Sequence, residues 1–124
     1  MKLSLFQKLL KNEISVTRFK SSIQSEVEEY SKKLRTQGTS VIINVDEDCS
    51  IYFAKNDLLR LCEYYLNNNL TDSEVHYITD CLTLSESVSF ESQKLIEFLE
   101  EMTDPELNGK ITKERVLVII DALE

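Results

Sequence analysis

The 124 residues suit one domain with its own core, because 42% hydrophobic and 29% charged residues are typical of a folded globular chain. The net charge of −8 is uneven: residues 1–40 hold eight Lys and Arg against four Glu, and residues 41–124 hold six against eighteen Asp and Glu. This balance argues against direct binding to nucleic acid or to an anionic membrane and favours a basic protein partner.

The three cysteines, Cys49, Cys62 and Cys81, are widely spaced and form no CxxC pair. An odd, dispersed set favours reduced, buried thiols in a cytoplasmic protein. Lysines interrupt the apolar N-terminus, so no secretion signal is predicted, and the longest apolar runs are far too short to cross a membrane. We therefore expect a cytoplasmic protein without a membrane segment.

The first forty residues predict two amphipathic helices. Apolar residues at helical spacing mark a short helix over 3–11 and a longer one over about 15–36, which ends before Gly38. One face of the longer helix is predicted to point inward. That face carries Val16, Phe19, Ile23, Val27, Tyr30 and Leu34.

The pattern then changes to β-branched and aromatic runs. Residues 40–46 and 50–54 predict an antiparallel hairpin, so the hairpin part of the chain is 40–54. Its turn, Asp46-Glu47-Asp48, is interpreted as solvated, although three carboxylates would also suit a metal or a partner. Because two strands alone are marginal in water, helices must cover one face.

Residues 55–124 predict a helical, acidic part. Its helices are expected at about 56–68, 71–82, 91–102 and 112–123. The start of the second is sharply marked, since Thr71 and Glu74 match a capping box. The last is rich in β-branched residues, so a terminal strand is the alternative there. The prediction is one domain, 1–124, with an α+β, mostly α-helical fold of about six helices and one small antiparallel hairpin.

Residues 104–115 resemble the calcium loop of an EF-hand, with Asp104, Glu106 and Asn108 at its first, third and fifth positions. The twelfth position needs a bidentate glutamate, but Arg115 stands there and would bring a cation into a cation site. No metal or other cofactor is therefore predicted. A degenerate calcium-binding protein stays an alternative.

The sequence offers no catalytic constellation. It has no phosphate-binding glycine loop, no nucleophile elbow and no Cys/His ligand set. His76, the single histidine, is interpreted as a residue of a helix surface. We therefore predict that the protein is not an enzyme.

The acidic surface is the main candidate for a functional site. In the helix over 91–102, glutamates are neighbours at i,i+4 spacing, which costs an isolated helix roughly a few tenths of a kcal/mol per pair. A basic partner would remove this repulsion, and tyrosines would add aromatic anchors. The predicted contact residues are Asp72, Glu74, Tyr77, Asp80, Glu97, Glu100, Glu101 and Asp104.

The segment Leu61–Thr112, which ends in the turn DPELNGKIT, resembles the immunity proteins of bacterial contact-dependent growth inhibition systems. The resemblance implies a protein that neutralises a toxin domain carried at the C-terminus of a large surface protein, commonly a nuclease that attacks tRNA or DNA. Such toxins are basic, which suits an acidic inhibitor. The alternative is a non-catalytic regulatory or adaptor module. The first helix and the hairpin edge would also permit a homodimer.

Overall fold

Helices make up most of the structure. The computed structural model describes residues 1–34, 43–103 and 109–124, and these residues form six helices and two short strands. The elements in chain order are α1 (Leu3–Leu10), α2 (Val16–Leu34), β1 (Ile51–Phe53), α3 (Lys55–Leu66), α4 (Asp72–Leu84), β2 (Val88–Phe90), α5 (Gln93–Glu101) and α6 (Lys113–Leu123). The predominantly helical α+β class agrees with the prediction. No helix among the described residues has the length and apolarity needed to cross a bilayer.

The two N-terminal helices bury the faces that the apolar spacing predicts. In α1 the buried residues are Leu3, Phe6 and Leu9. In α2 they are Phe19, Ile23, Val27 and Tyr30, and Val16 is half-buried. The aromatic rings of α1 and α2 meet, with the centroids of Phe6 and Phe19 at 6.0 Å. The spacing of apolar residues alone predicted the buried positions of these two helices, because each helix has one clear apolar face.

The predicted antiparallel hairpin is wrong. Residues 51–53 do form a strand, but its partner is β2, and the two strands run parallel with Ile51 opposite Val88 and Phe53 opposite Phe90. Residues 43–45 contain no strand, and residues 40–42 lie outside the described part of the chain. Parallel strands need a long crossover connection, which α3 and α4 provide here.

The start of the chain packs beside Asp46 in place of the predicted hairpin. The N–H of Asp46 donates to the carbonyl of Met1 at 2.9 Å, and its carbonyl accepts the N–H of Leu3 at 3.0 Å. Asp46 and Lys2 form an isolated parallel bridge. The backbone N–H and carbonyl of Asp46, at the end of the predicted strand 40–46, are thus paired with a segment far away in sequence.

The next two carboxylates are exposed, as predicted, but they do not form a hairpin turn and instead connect separate parts of the fold. Glu47 accepts the backbone N–H groups of Glu86 and Ser87 at 2.8 and 3.1 Å, in the turn between α4 and β2. Asp48 accepts the N–H of Ser4 at 2.9 Å, a donor in the first turn of α1 that has no partner within its helix. We call Glu47 and Asp48 the carboxylate clamp.

The helix α4 lies at the centre of the fold. It begins at the predicted capping box: Thr71 Oγ1 accepts the N–H of Glu74 at 3.2 Å, and Glu74 Oε1 accepts the N–H of Thr71 at 2.8 Å. Residues 74–79 are all buried, and the helix contacts α2, α3 and α5. A helix that is buried on every side belongs to the core and presents little surface to a partner.

The last element is helical throughout, so the alternative of a terminal strand is wrong. Thr112 caps α6 as predicted, and its Oγ1 accepts the N–H of Arg115 at 3.2 Å. Val116, Ile119 and Leu123 are buried, and α6 packs on α3. This choice of buried positions determines which residues of α6 point outward.

Candidate functional site

Two of the predicted contact residues on α4 lie in the interior. Glu74 is 8% exposed, and its carboxylate, besides capping α4, lies 3.5 Å from Nζ of Lys20. Tyr77 is 3% exposed, and its hydroxyl donates to the carboxylate of Glu26 at 2.6 Å. Both side chains are committed to internal contacts, so we do not include them in the contact surface proposed below.

The two aspartates of α4 are half-buried and paired with other elements. Asp72 Oδ2 lies 3.4 Å from Nζ of Lys110. Asp80 accepts a hydrogen bond from the hydroxyl of Tyr30 on α2. Lys110 partly balances the charge of Asp72, and the hydroxyl of Tyr30 occupies an acceptor site of Asp80, so the two aspartates contribute less to an acidic surface than the sequence indicates.

A polar cluster joins α2, α4 and the start of the chain. The α-amino group of Met1 lies 2.6 Å from Oε1 of Glu26 and donates to the carbonyl of Asn44 and the hydroxyl of Tyr77, both at 2.9 Å. Burial, together with the hydrogen bond to Glu26, raises the pKa of Tyr77 well above its usual range. The hydroxyl therefore stays protonated and acts as a hydrogen-bond donor, not as a nucleophile or a base.

A cleft of about 230 Å³ borders this cluster. Besides Glu26, Asn44 and Tyr77, its lining consists of Glu29, Tyr30, Lys33 and Ile43. Two charged groups of α2 in this lining form an ion pair, with Lys33 Nζ at 3.2 Å from Glu29 Oε1. The cleft is small for a ligand site, and its charged groups already have partners.

His76 is buried, so its interpretation as a surface residue is wrong. Its Nδ1 lies 2.8 Å from the carbonyl oxygen of Met102, and its Nε2 lies 3.5 Å from the backbone nitrogen of Ile111. The ring donates at Nδ1 and accepts at Nε2, which is the neutral form of histidine. His76 connects the end of α5 with the segment that precedes α6, and both of its nitrogens serve the fold.

The thiols are free, as predicted. Cys62 and Cys81 are buried and Cys49 is half-buried. Burial raises the pKa of Cys62 to about 12 and that of Cys81 to about 11. Thiols in this state are protonated at neutral pH and are poor nucleophiles. Among the described residues, no group of three or more His, Cys, Asp and Glu side chains is placed to hold a metal ion.

The exposed glutamates of α5 remain as candidate contacts. Glu97, Glu100 and Glu101 share the outer face of the helix, and we call them the α5 acidic face. The single cation of this helix is Lys94 in its first turn, which lies over the ring of Phe98 at 5.7 Å. The predicted contact Asp104 lies outside the described residues.

The α5 acidic face is electrostatically unfavourable for its own helix. Glu97 is three residues from Glu100 and four from Glu101, so the side chains are like-charged neighbours. Glu100 and Glu101 also stand in the last turn, which has no basic residue and which is the negative end of the helix dipole. Glu101 is partly compensated by an ion pair with Arg115, and Lys94 lies three residues before Glu97.

That ion pair connects α5 with the beginning of α6. Nε of Arg115 donates to Oε2 of Glu101 at 2.8 Å. Arg115, the residue that is incompatible with a calcium loop, therefore binds a carboxylate of the preceding helix. Gly109, between the two helices, has a φ of +77°, which other residues rarely adopt.

Two outward residues of α6, Leu117 and Val118, were not among the predicted contacts. They are 55% and 53% exposed. The sequence does contain their signal: when the helix is counted from its Thr112 cap, Val116 and Ile119 fall on the inner side and these two fall outside.

No protein-family model, curated protein or solved structure matches this chain.

Proposed function

We propose that the protein is an immunity protein that binds and neutralises a basic toxin domain, in particular a nuclease that acts on tRNA or DNA. The observation that carries the proposal is the α5 acidic face. Glu97 is a like-charged neighbour of Glu100 and Glu101, and the latter two oppose the helix dipole; a partner that supplies Lys and Arg would reduce both penalties. Carboxylates buried in the fold offer no such surface.

The proposed mechanism of neutralisation is competition for cations. A nuclease binds its substrate through Lys and Arg that contact phosphates, and this contact provides much of its affinity for nucleic acid. An exposed row of carboxylates on a rigid helix engages the same cations. Long-range attraction between the acidic inhibitor and the basic toxin also speeds their encounter. The inhibitor itself needs no catalytic residue for this role.

The test uses the C-terminal domain encoded by the gene immediately upstream as the candidate toxin. We expect its expression alone to arrest growth and degrade tRNA or DNA, and coexpression of this chain to restore growth. Purified together, the two proteins should elute as one stoichiometric complex. Continued growth arrest and nucleic-acid cleavage in the presence of this chain, with no complex formed, would refute the proposal.

A further inference from the structure

The outer face of α6 carries two large apolar side chains next to each other. Leu117 and Val118 are each more than half exposed. The other large hydrophobic residues exposed to this degree in the described part of the chain are Tyr52 on β1 and Leu84 at the end of α4, on different elements. Single exposed apolar residues are common on protein surfaces, but adjacent ones on one helix face form a patch.

The helix itself does not require these residues. α6 anchors to α3 through the opposite side, where Val116, Ile119 and Leu123 are buried. A β-branched valine loses rotamer freedom in a helix, so an exposed Val118 does not favour helix formation. Polar residues at both positions would support the helix at least as well and would leave less apolar area in water.

Acidic residues flank the apolar pair along the same face. Glu114 and Asp121 are exposed, and with Leu117 and Val118 they follow the spacing i, i+3, i+4, i+7. We call these four residues the α6 stripe. Asp121 stands in the last turn of α6, which contains no basic residue and is therefore an unfavourable place for a carboxylate.

We infer that the α6 stripe is a docking surface for a protein that presents an apolar side chain framed by Lys or Arg. The apolar pair gives such a partner a desolvated anchor, and the carboxylates on both sides match its basic rim. A second copy of this chain has the wrong charge, because it also carries −8 and would place the same acidic stripe against this one.

The inference deepens the proposed function and rests on it for the identity of the partner. Val118 lies three residues after Arg115, which holds Glu101 of the α5 acidic face. Arg115 therefore connects the helix that carries the α6 stripe with the α5 acidic face. A basic toxin domain that covers both would use α5 for electrostatic attraction and α6 for its apolar anchor.

A probe that is independent of any toxin tests the surface directly. A synthetic amphipathic peptide of leucine and lysine is titrated into the full chain, and the methyl and amide resonances are followed by NMR. We expect saturable binding with the largest shift changes at Leu117 and Val118. A peptide with glutamate in place of every lysine should not bind.

A matched pair of double variants tests whether the peptide binds at the α6 stripe. Leu117→Gln with Val118→Gln should weaken peptide binding about tenfold, since it removes most of the apolar contact area. Leu84→Gln with Tyr52→Thr removes a similar exposed apolar area elsewhere and should leave binding unchanged. Circular dichroism checks that both variants fold. Equal affinity of the two variants, or shift changes confined to other surfaces, would overturn the inference.

Two further measurements separate this inference from the proposed function. If the wild-type chain neutralises the toxin domain and Leu117→Gln with Val118→Gln does so equally well, the α6 stripe is not the anchor, although the proposed function stands. If the toxin domain is not bound at all, the proposed function fails and the peptide result alone decides on the stripe. If the wild-type chain forms a dimer and Leu117→Gln with Val118→Gln makes it monomeric, the α6 stripe binds a second copy of this chain. That result would overturn the proposal of a basic partner.

Discussion

Reversing the charge of Glu97 separates partner binding from stability on the α5 acidic face. Glu97 is exposed, and Glu100 and Glu101 follow it by three and four residues. Glu97→Lys changes the net charge by two units, from −8 to −6. It also leaves the ion pair between Glu101 and Arg115 intact, which a reversal at Glu101 would break.

The substitution should stabilise the isolated protein. It turns two like-charge pairs, with Glu100 and Glu101, into attractive pairs, and turns the attractive pair with Lys94 into a repulsive one. Each such reversal changes the stability by about 0.4–1 kcal/mol on an exposed helix, so one reversal remains as the net gain. We expect the free energy of unfolding to rise by about 0.4–1 kcal/mol, which corresponds to a Tm increase of roughly 2–5 °C for a domain of this length. The gain should shrink at high salt because both side chains are exposed to solvent.

Binding should change in the opposite direction. The association rate with the toxin domain should fall about threefold to tenfold at low ionic strength, and the difference from wild type should narrow as salt is added. Stopped-flow fluorescence measures the rate. The matched control is Glu13→Lys, which makes the same charge change at an exposed position in the turn between α1 and α2.

Two results would refute this reasoning. Equal slowing by Glu97→Lys and Glu13→Lys would mean that only the net charge matters, and the α5 acidic face would lose its role as the contact. A lower Tm for Glu97→Lys would mean that the glutamate contributes to the fold, so its placement would no longer point to a partner.

Three further predictions concern the fold. Hydrogen bonds from Ser85 and Ser4 lower the pKa of Glu47 and Asp48 from their ordinary values of 4.5 and 3.8, so the unfolded chain takes up protons first on acidification. The stability that the carboxylate clamp contributes is therefore complete above about pH 5, and it is lost as the pH falls below these ordinary values toward the lowered pKa of each group. Urea unfolding of Glu47→Gln across pH 3–7 should show a flatter dependence of stability on pH than wild type, and an unchanged dependence would contradict the clamp. Tyr77→Phe should lower the free energy of unfolding by about 1–3 kcal/mol, because it removes a hydroxyl that bonds the buried α-amino group of Met1 and the carboxylate of Glu26. Tyr52→Phe at an exposed position should change it by less than about 0.5 kcal/mol. Calorimetric titration with calcium should give no saturable heat, and a saturable heat would revive the calcium-loop alternative despite Arg115.

The helices were predictable because their signals are local. Thr71 with Glu74, and Thr112 before α6, satisfy helix N–H groups within three residues, so the sequence pattern and the structure coincide. The pairing of β1 was not predictable in this way. Its partner strand is only three residues long, lies in a Ser-rich junction, and is brought alongside by two intervening helices.

The candidate site was predictable on α5 but not on α4. Both helices carry acidic residues, and their patterns do not reveal which carboxylates meet an internal partner. Glu74 is taken up by its own capping box and by Lys20, and Asp80 by Tyr30. The capping box is local and was predicted, but the contacts with Lys20 and Tyr30 join residues far apart in the chain. They depend on the tertiary arrangement and leave no periodic trace in the sequence.

Two sets of contacts, hydrogen bonds inside the fold and an ion pair on its surface, connect α5 with α6. On the inside, His76 joins the carbonyl of Met102 to the segment at Ile111, and Thr79 donates to the same carbonyl at 2.9 Å. On the outside, Arg115 binds Glu101. An EF-hand would close such a helix pair around a metal through a glutamate at the twelfth position of its loop. Here an arginine at that position connects the two helices through an ion pair with Glu101, so a charged contact of the chain itself stands where the EF-hand would use a metal.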